Sequence, residues 1–254
     1  MNYIQAGTGK PVVLLHGLAD TCHDWDEIIP GLASAGYSTF AADLPGHGKS
    51  PHATDPSEYT INTVMSVIEA WIDLLKLDLP MVMIGHSLGG YLCLEYAIRH
   101  PQACDQMILI APLFTPRQIS PVIYNLLKRT KITEKALRMA PADILTGALR
   151  LSPLVQAPIP PHLCRQKAID FKTADPAVMR LPSTIDDLCP RIPGIQIPTL
   201  IIWGKNDLTL NPSLYPALVA GMPSATAKAL KDTGHQPHIQ RPEAVSKLIL
   251  DYLN

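Results

Sequence analysis

Short apolar segments alternate with amphipathic segments along most of this chain. Six runs of four or five mostly apolar residues are bounded by turn-forming residues, which is the pattern of strands buried on both faces of a sheet. These runs are residues 12–15, 39–42, 81–84, 107–110, 199–203 and 226–230. Helical periodicity, with apolar positions three and four residues apart, marks residues 61–77, 88–100 and 242–253. The alternation predicts an α/β fold in which a mostly parallel central sheet has helices on both faces.

A proline-rich stretch interrupts this alternation. Residues 112–198 contain 13 of the 25 prolines and no strand-like run, although helical patterns survive between the prolines. We interpret the stretch as a helical excursion between two neighbouring strands of the sheet. The predicted organisation is therefore an α/β core formed by residues 1–111 and 196–254, with a helical lid over residues 112–195.

Composition and charge narrow the class of partner. Of the 254 residues, 47% are hydrophobic and 17% are charged, which suits a globular protein with a large core. The net charge of −1 gives no electrostatic basis for binding nucleic acid, and no apolar run approaches the roughly 18 residues that span a bilayer. Five cysteines without a C-x-x-C pair suggest free thiols in a reducing cytoplasm. The expected partner is a small-molecule substrate, and the oligomeric state stays open.

The strongest chemical signal is a G-x-S-x-G motif. Residues 85–89 read Gly-His-Ser-Leu-Gly and lie between a predicted strand and a predicted helix. In that setting the motif forms a tight strand-to-helix turn that lifts the serine hydroxyl out of the sheet. Ser87 is therefore the expected nucleophile. Because a serine hydroxyl is a poor nucleophile at neutral pH, an adjacent base is also needed.

Chain order selects the expected base and acid. In folds with this motif the acid, and then the histidine, follow the serine. His235 lies just after the last predicted strand and is the expected base, with His238 in reserve. Asp207 follows the apolar run 199–203, at a strand end where sites in open α/β sheets lie, and is the expected acid. Weaker choices for the acid are Asp186, Asp187 and Asp232.

A serine activated by a histidine typically carries out acyl transfer. This reaction passes through an oxyanion that needs preorganised N–H donors. The expected donors are the backbone amide of Leu88, directly after the nucleophile, and that of Leu18, in the loop after the first predicted strand. His16 precedes the nucleophile in the chain, so we expect it to shape this loop. No dinucleotide fingerprint or phosphate loop appears, and His235 and His238 have no third ligand at a recognisable spacing. No cofactor and no metal is therefore expected.

Five successive motifs resemble those of the α/β-hydrolase family. They are Leu15-His-Gly17, Asp43-Leu-Pro-Gly-His-Gly-Lys-Ser50, Gly85-His-Ser-Leu-Gly-Gly90, Trp203-Gly-Lys-Asn-Asp207 and Gly234-His-Gln-Pro237. The resemblance covers residues 11–111 and 196–254, and it implies an eight-stranded sheet with a helical lid inserted after the sixth strand. Only ten residues precede Pro11, so we expect the first strand of the family's hairpin to be missing or reduced.

The resemblance implies a serine hydrolase that cleaves a carboxylic ester or related acyl bond through an acyl-enzyme. Haloalkane dehalogenases and epoxide hydrolases of this fold use Asp as nucleophile, whereas this chain has Ser87. Carbon–carbon hydrolysis of a diketone uses the same triad and stays an alternative. Residues 20–25 also resemble the menaquinone-pathway lyase of this fold, but that enzyme carries Arg where this chain has Tyr91. A ligand receptor with little turnover is the alternative outside the enzymes.

The substrate pocket is expected to be a mostly apolar chamber under the lid. Its predicted walls are Leu18, Trp25, Leu88, Leu113 and Phe114, faced by Ile123, Leu126 and Leu127 of the lid. Because none of the loop-derived walls is charged, the pattern predicts a small, neutral and largely apolar substrate. Arg117 is the nearest basic residue, and an inward-pointing Arg117 would instead favour a carboxylated substrate.

Overall fold

The central sheet has seven strands in the computed structural model, which describes residues 1–119, 141, 143, 146 and 161–254. They are β1 (Tyr3–Ala6), β2 (Lys10–Leu15), β3 (Tyr37–Ala42), β4 (Met81–His86), β5 (Cys104–Ile110), β6 (Thr199–Gly204) and β7 (Ala225–Leu230). Their spatial order is β1-β3-β2-β4-β5-β6-β7. The pair β1–β3 is antiparallel and every other pair is parallel. All six predicted strands are present, and the predicted α/β fold is confirmed.

Helices cover both faces of this sheet. Within the described residues they are α1 (Ile29–Ser34), α2 (Ile61–Leu75), α3 (Leu88–Arg99), α4 (Pro161–Thr173), α5 (Tyr215–Gly221), α6 (Pro237–Gln240) and α7 (Pro242–Leu253). The three predicted helices correspond to α2, α3 and α7. None of the helices in this part of the chain is long and apolar enough to cross a membrane. The five cysteines are free thiols, and a cytoplasmic location stays a prediction.

The antiparallel edge of the sheet is short. The four residues of β1 pair with β3 in the register Tyr3↔Ala42. The sheet of the described residues thus has one strand fewer than the eight that the resemblance implied. The strands that carry the candidate site, β4, β6 and β7, are all present.

Two hydrophobic cores lie on opposite faces of the sheet. Successive residues of a strand point to opposite faces, so odd and even positions separate into two sets. In β4, Met81 and Met83 join the core that contains α2 and α3, whereas Val82 and Ile84 join the core that contains α1 and α7. Burial on both sides explains why the strands read as continuous apolar runs rather than as alternating patterns.

The predicted insertion leaves the sheet between β5 and β6. Its described residues include the 3-10 turns Pro116–Gln118 and Pro176–Ser183, together with α4. These residues form no strand and contribute one isolated β-bridge, between Ile119 and Leu210. Helix α4 packs on α6 through a small cluster of Leu163, Cys164 and Ile239. The boundaries 112–195 and the function of this segment as a lid stay predictions.

The turn between β4 and α3 leaves no room for a side chain at Gly89. Ser87 occupies a positive-φ conformation (φ 52°, ψ −112°), which is unusual for a residue other than glycine. A Cβ on Gly89 would lie 1.9 Å from the carbonyl oxygen of Leu15, so glycine is required for α3 to begin against β2. This close approach sets the direction in which the Ser87 side chain leaves the sheet.

We expect Gly89→Ala to lower the free energy of unfolding by more than about 2 kcal/mol, because the new methyl group collides with backbone that cannot swing aside. Gly31→Ala in α1 is the matched control, since its Cβ would meet only Leu250 at 3.6 Å. That variant should gain up to about 1 kcal/mol from helix propensity. Urea unfolding measures both, and equal effects of the two substitutions would contradict the account of the turn.

A second prediction concerns the docking of α4 on the core. Asp170 of α4 is buried, and its Oδ1 accepts hydrogen bonds from the Thr21 hydroxyl at 2.9 Å and the Gln166 side chain at 2.8 Å. Burial raises the pKa of Asp170 to about 6, despite the neighbouring Lys167. The folded state therefore holds this proton more tightly than the unfolded chain, so the stability contribution is full below pH 4 and is lost as the pH rises to 6.

Asp170→Asn should therefore raise the free energy of unfolding at pH 7.5 by about 1–2 kcal/mol and change it little at pH 4.5. Urea denaturation at the two pH values checks this. Asp78→Asn, at an exposed position, serves as the control and should show no such difference. A gain from Asp170→Asn that is equal at both pH values would mean that Asp170 is ionised in the folded protein throughout this range.

Candidate active site

Three residues from separate loops meet at one end of the sheet. Ser87 follows β4, Asp207 follows β6, and His235 lies in the loop between β7 and α6. The His235 Nε2 atom is 2.9 Å from the Ser87 hydroxyl oxygen, and its Nδ1 atom is 2.7 Å from Asp207 Oδ2. The sequence predicted these three residues, and the structure brings them into a continuous chain of hydrogen-bonding groups. His238, the reserve choice for the base, does not contact Ser87.

Asp207 is held in place on both of its oxygens. Its side chain is fully buried, and the backbone amides of Thr209 and Leu210 donate to Oδ1 at 2.8 and 2.9 Å. The other oxygen faces His235. A carboxylate fixed in this way can hold an imidazole in one tautomer and stabilise the imidazolium that forms when the histidine takes a proton.

The two predicted oxyanion donors belong to residues that border the same cavity. Leu88 begins α3, where the positive end of the helix dipole lies, and Leu18 lies in the loop after β2. His16 fixes the start of this loop, because its Nε2 accepts from the Leu44 amide at 2.9 Å and its Nδ1 contacts the Gly17 carbonyl at 2.7 Å. Burial lowers the pKa of His16, which suits a neutral structural histidine.

A cavity of about 270 Å³ opens beside Ser87. Of the predicted walls, Leu18, Leu88 and Leu113 border it. The insertion supplies further apolar walls that the sequence did not single out: Ile119, Cys164, Phe171, Met179 and Pro182. The predicted lid residues Ile123, Leu126 and Leu127 lie outside the described residues. The described walls are mostly apolar and include a smaller polar region.

Two residues predicted to line the cavity lie in the hydrophobic core instead. Trp25 is completely buried on the α1 side of the sheet, where its ring stacks on His238 with centroids 5.0 Å apart. Phe114 is buried on the opposite side of the sheet, with its ring centroid 6.4 Å from that of Tyr215. Neither residue borders the cavity. Position in a loop near the strand ends gave the correct region but not the direction of these large side chains.

Arg117 points away from the cavity. Its side chain is 81% exposed, and its guanidinium lies 3.5 Å from the carboxylate of Asp187 on the surface. Tyr91 is also absent from the cavity walls, because it is buried in α3 with its hydroxyl accepting from the Asp186 amide at 3.0 Å. Neither position supplies a basic group for a substrate carboxylate in this arrangement.

The polar region of the cavity centres on Lys167 and Asp20, which the sequence analysis missed. The Lys167 ammonium of α4 lies 2.7 Å from Asp20 and also contacts Asp24, and all three side chains are nearly or completely buried. Burial opposes the charge on Lys167, but the two carboxylates outweigh it and raise the pKa of the ammonium. Burial likewise opposes ionisation of Asp24, but Lys167 and nearby histidines hold its pKa well below the ordinary value.

A buried cluster of Asp24, His86 and His238 lies behind His235. The second Asp24 oxygen is 2.9 Å from His238 Nε2 and 3.3 Å from His86 Nδ1. Burial lowers the pKa of His238 to about 4. These three residues form the one group within the described part of the chain whose spacing could hold a metal ion. The ammonium of Lys167 already supplies a positive charge to Asp24, so the cluster has a cation without a metal.

Comparison with known proteins agrees with this architecture. The family model described as α/β hydrolase fold matches residues 10–143. A 2-hydroxy-6-oxononadienedioate/2-hydroxy-6-oxononatrienedioate hydrolase from Cupriavidus pinatubonensis is 26% identical over 96% of this chain and 86% of its own length.

Solved structures with the same fold include an esterase from Exiguobacterium antarcticum, with 21% identity and a TM-score of 0.84 over 99% of this chain and 94% of that one. MenH from S. aureus has 23% identity and a TM-score of 0.79, covering 100% of this chain and 98% of that one. The matched family model spans more than half of the chain and includes Ser87. With its sheet, its strand order and its sequence match in agreement, this chain belongs to the α/β-hydrolase family of enzymes.

Proposed function

We propose that this enzyme is a serine hydrolase that cleaves a carboxylic ester, or a related acyl bond, of a small and largely apolar substrate. The observation that carries the proposal is the hydrogen-bonded chain Ser87–His235–Asp207 at the border of a mostly apolar cavity. A serine next to a base, with the base oriented by a carboxylate, is the arrangement that activates a hydroxyl for attack on a carbonyl.

The reaction proceeds in two acyl transfers. His235 takes the Ser87 proton while the hydroxyl oxygen attacks the substrate carbonyl, and the resulting oxyanion is stabilised by the amides of Leu18 and Leu88. His235 then gives the proton to the departing alcohol, which leaves an acyl-enzyme on Ser87. Water attacks the acyl-enzyme with His235 again as base, and the carboxylic acid leaves as Ser87 regains its proton.

Wall chemistry favours a neutral substrate. Among the described residues that border the cavity, the one Lys or Arg is Lys167, and Asp20 and Asp24 already balance its charge. A substrate carboxylate placed here would lose its hydration without gaining an unpaired cation. The apolar side chains of Leu88, Leu113 and Phe171 instead suit an alkyl or aryl group. We propose that the insertion, residues 112–195, acts as the lid over this chamber.

Carbon–carbon hydrolysis is the second candidate, favoured by the relative from Cupriavidus pinatubonensis. That protein is named for hydrolysis of a dioate, a substrate with two carboxylates. The same nucleophile and base could cleave a vinylogous diketone. A menaquinone-pathway type of elimination is a further variant on this triad, but Tyr91 stands where that lyase has Arg. A receptor function would be distinguished by product formation that stops after one equivalent per protein.

Ser87→Ala should reduce kcat for a short activated ester at least about a thousand-fold, because it removes the nucleophile while the cavity remains. Steady-state hydrolysis of p-nitrophenyl butyrate measures this. The control Ser66→Ala lies on an exposed face of α2 and should match wild type. Undiminished turnover by Ser87→Ala would overturn the proposal, and a single burst with no further turnover by wild type would support the receptor instead.

The wall chemistry predicts a preference for uncharged substrates. We expect kcat/KM for a neutral aryl ester to exceed that for its ω-carboxylated analogue by more than tenfold, about 1.4 kcal/mol of transition-state binding. The comparison is made with matched esters, and vinylogous diketones with and without carboxylates are assayed beside them. Turnover of the dicarboxylated diketone alone would contradict both the bond type and the neutral cavity.

A further inference from the structure

One lysine of the insertion forms buried ion pairs with two aspartates of the core, close to the candidate base. Lys167 lies on α4, 143 and 147 residues from the two aspartates that it contacts, Asp24 and Asp20. Its side chain is 9% exposed, and those of Asp20 and Asp24 are 9% and 0% exposed. With so little water nearby, the two carboxylates depend on this ammonium for charge balance.

A series of contacts leads from Asp24 through His86 to His235. One Asp24 oxygen contacts Lys167, and the other lies 3.3 Å from Nδ1 of His86. The opposite ring nitrogen of His86 donates to the backbone carbonyl of His235 at 3.0 Å. The rings of His86 and His235 are also neighbours, with centroids 5.1 Å apart. A contiguous path thus joins α4 of the insertion to the residue proposed as general base.

We propose that Lys167 and Asp24 are positioning residues that act on His235 through His86, so that docking of α4 prepares the base. The inference rests on the proposed function of His235. When α4 is docked, the Lys167 ammonium balances the charge of Asp24, whose second oxygen lies 3.3 Å from Nδ1 of His86. The Nε2 atom of His86 then donates to the His235 carbonyl. Without the ammonium, two buried carboxylates remain near His235 and favour its protonated form, which cannot act as a base.

Several charged or titratable groups surround His235, and the sign of each charge determines how its removal changes the protonation of His235. Asp207 contacts its ring, and Asp20 lies close through Gln236, whose side chain is 3.4 Å from the Asp20 carboxylate. Among the described residues, the other charged or titratable groups of this cluster are His86 at the end of β4, His238 of α6, Asp24 and Lys167 of α4, with Asp170 one turn further along α4. Loss of one positive charge from this set should favour protonation of His235, and loss of one negative charge should disfavour it.

The test compares Lys167→Met with Asp24→Asn over pH 5–9, with p-nitrophenyl butyrate as substrate. The acid-side midpoint of the kcat/KM profile should move up by about 0.5 pH unit in Lys167→Met and down by about as much in Asp24→Asn. In both variants kcat should fall about tenfold. The KM of Asp24→Asn should stay within about twofold of wild type, because Asp24 does not border the cavity.

Three further variants separate positioning from general structural damage. Lys167→Arg keeps the charge and should keep the wild-type midpoint. Arg165→Met removes an exposed cation from the same helix and should change neither kcat nor the profile. If Lys167→Met fails to fold, the double variant Lys167→Met/Asp24→Asn, which loses one charge of each sign, should fold and return the midpoint to within about 0.2 pH unit of wild type.

Midpoints that stay fixed, or that move in the same direction in both single variants, would overturn the positioning proposal. A retained kcat in folded Lys167→Met would overturn it as well. Ser87→Ala assayed in parallel distinguishes this outcome from failure of the proposed function. Wild-type turnover by Ser87→Ala overturns the serine mechanism itself, whereas a Ser87-dependent activity with unmoved midpoints overturns only the assignment of Lys167 and Asp24.

Discussion

The close approach of Gly89 to the Leu15 carbonyl is the constraint on which the candidate site depends. Because position 89 has no side chain, α3 can begin directly against β2, and Ser87 is held at a positive φ between strand and helix. That backbone conformation directs the Ser87 hydroxyl to within 2.9 Å of His235. The loops after β6 and β7 then need only supply their residues at the same edge of the sheet, which parallel strands guarantee.

Two electrostatic systems meet at His235 from different sides. Asp207 contacts the ring and is fixed by two backbone amides, so it acts within the core of the fold. On the other side, Lys167 and Asp24 reach the His235 backbone through His86, and Lys167 comes from the insertion. The first system lies in loops that follow strands of the sheet, whereas the second connects His235 to the segment proposed to cover the substrate. The same ammonium also leaves the cavity without an unpaired cation among its described walls.

The sequence predicted what is encoded locally. Strands, the three longest core helices and the order Ser87, Asp207, His235 follow from apolar runs and from motifs of a few residues, and the structure places these elements as expected. Trp25 and Phe114 failed as wall residues because a loop position does not determine which side of the sheet a large side chain enters. The pairing of Lys167 with Asp24 joins residues that are far apart in the chain, and a lysine on a helix has no local signal of burial.

The most direct test of the central claim is to locate the nucleophile chemically. Wild-type protein treated with a fluorophosphonate, which phosphonylates activated serines and releases fluoride, should gain one label that peptide mass spectrometry maps to Ser87. His235→Ala should react at least about a hundred times more slowly, because the hydroxyl then lacks its base. Labelling at another residue, or an unchanged labelling rate in His235→Ala, would contradict the account.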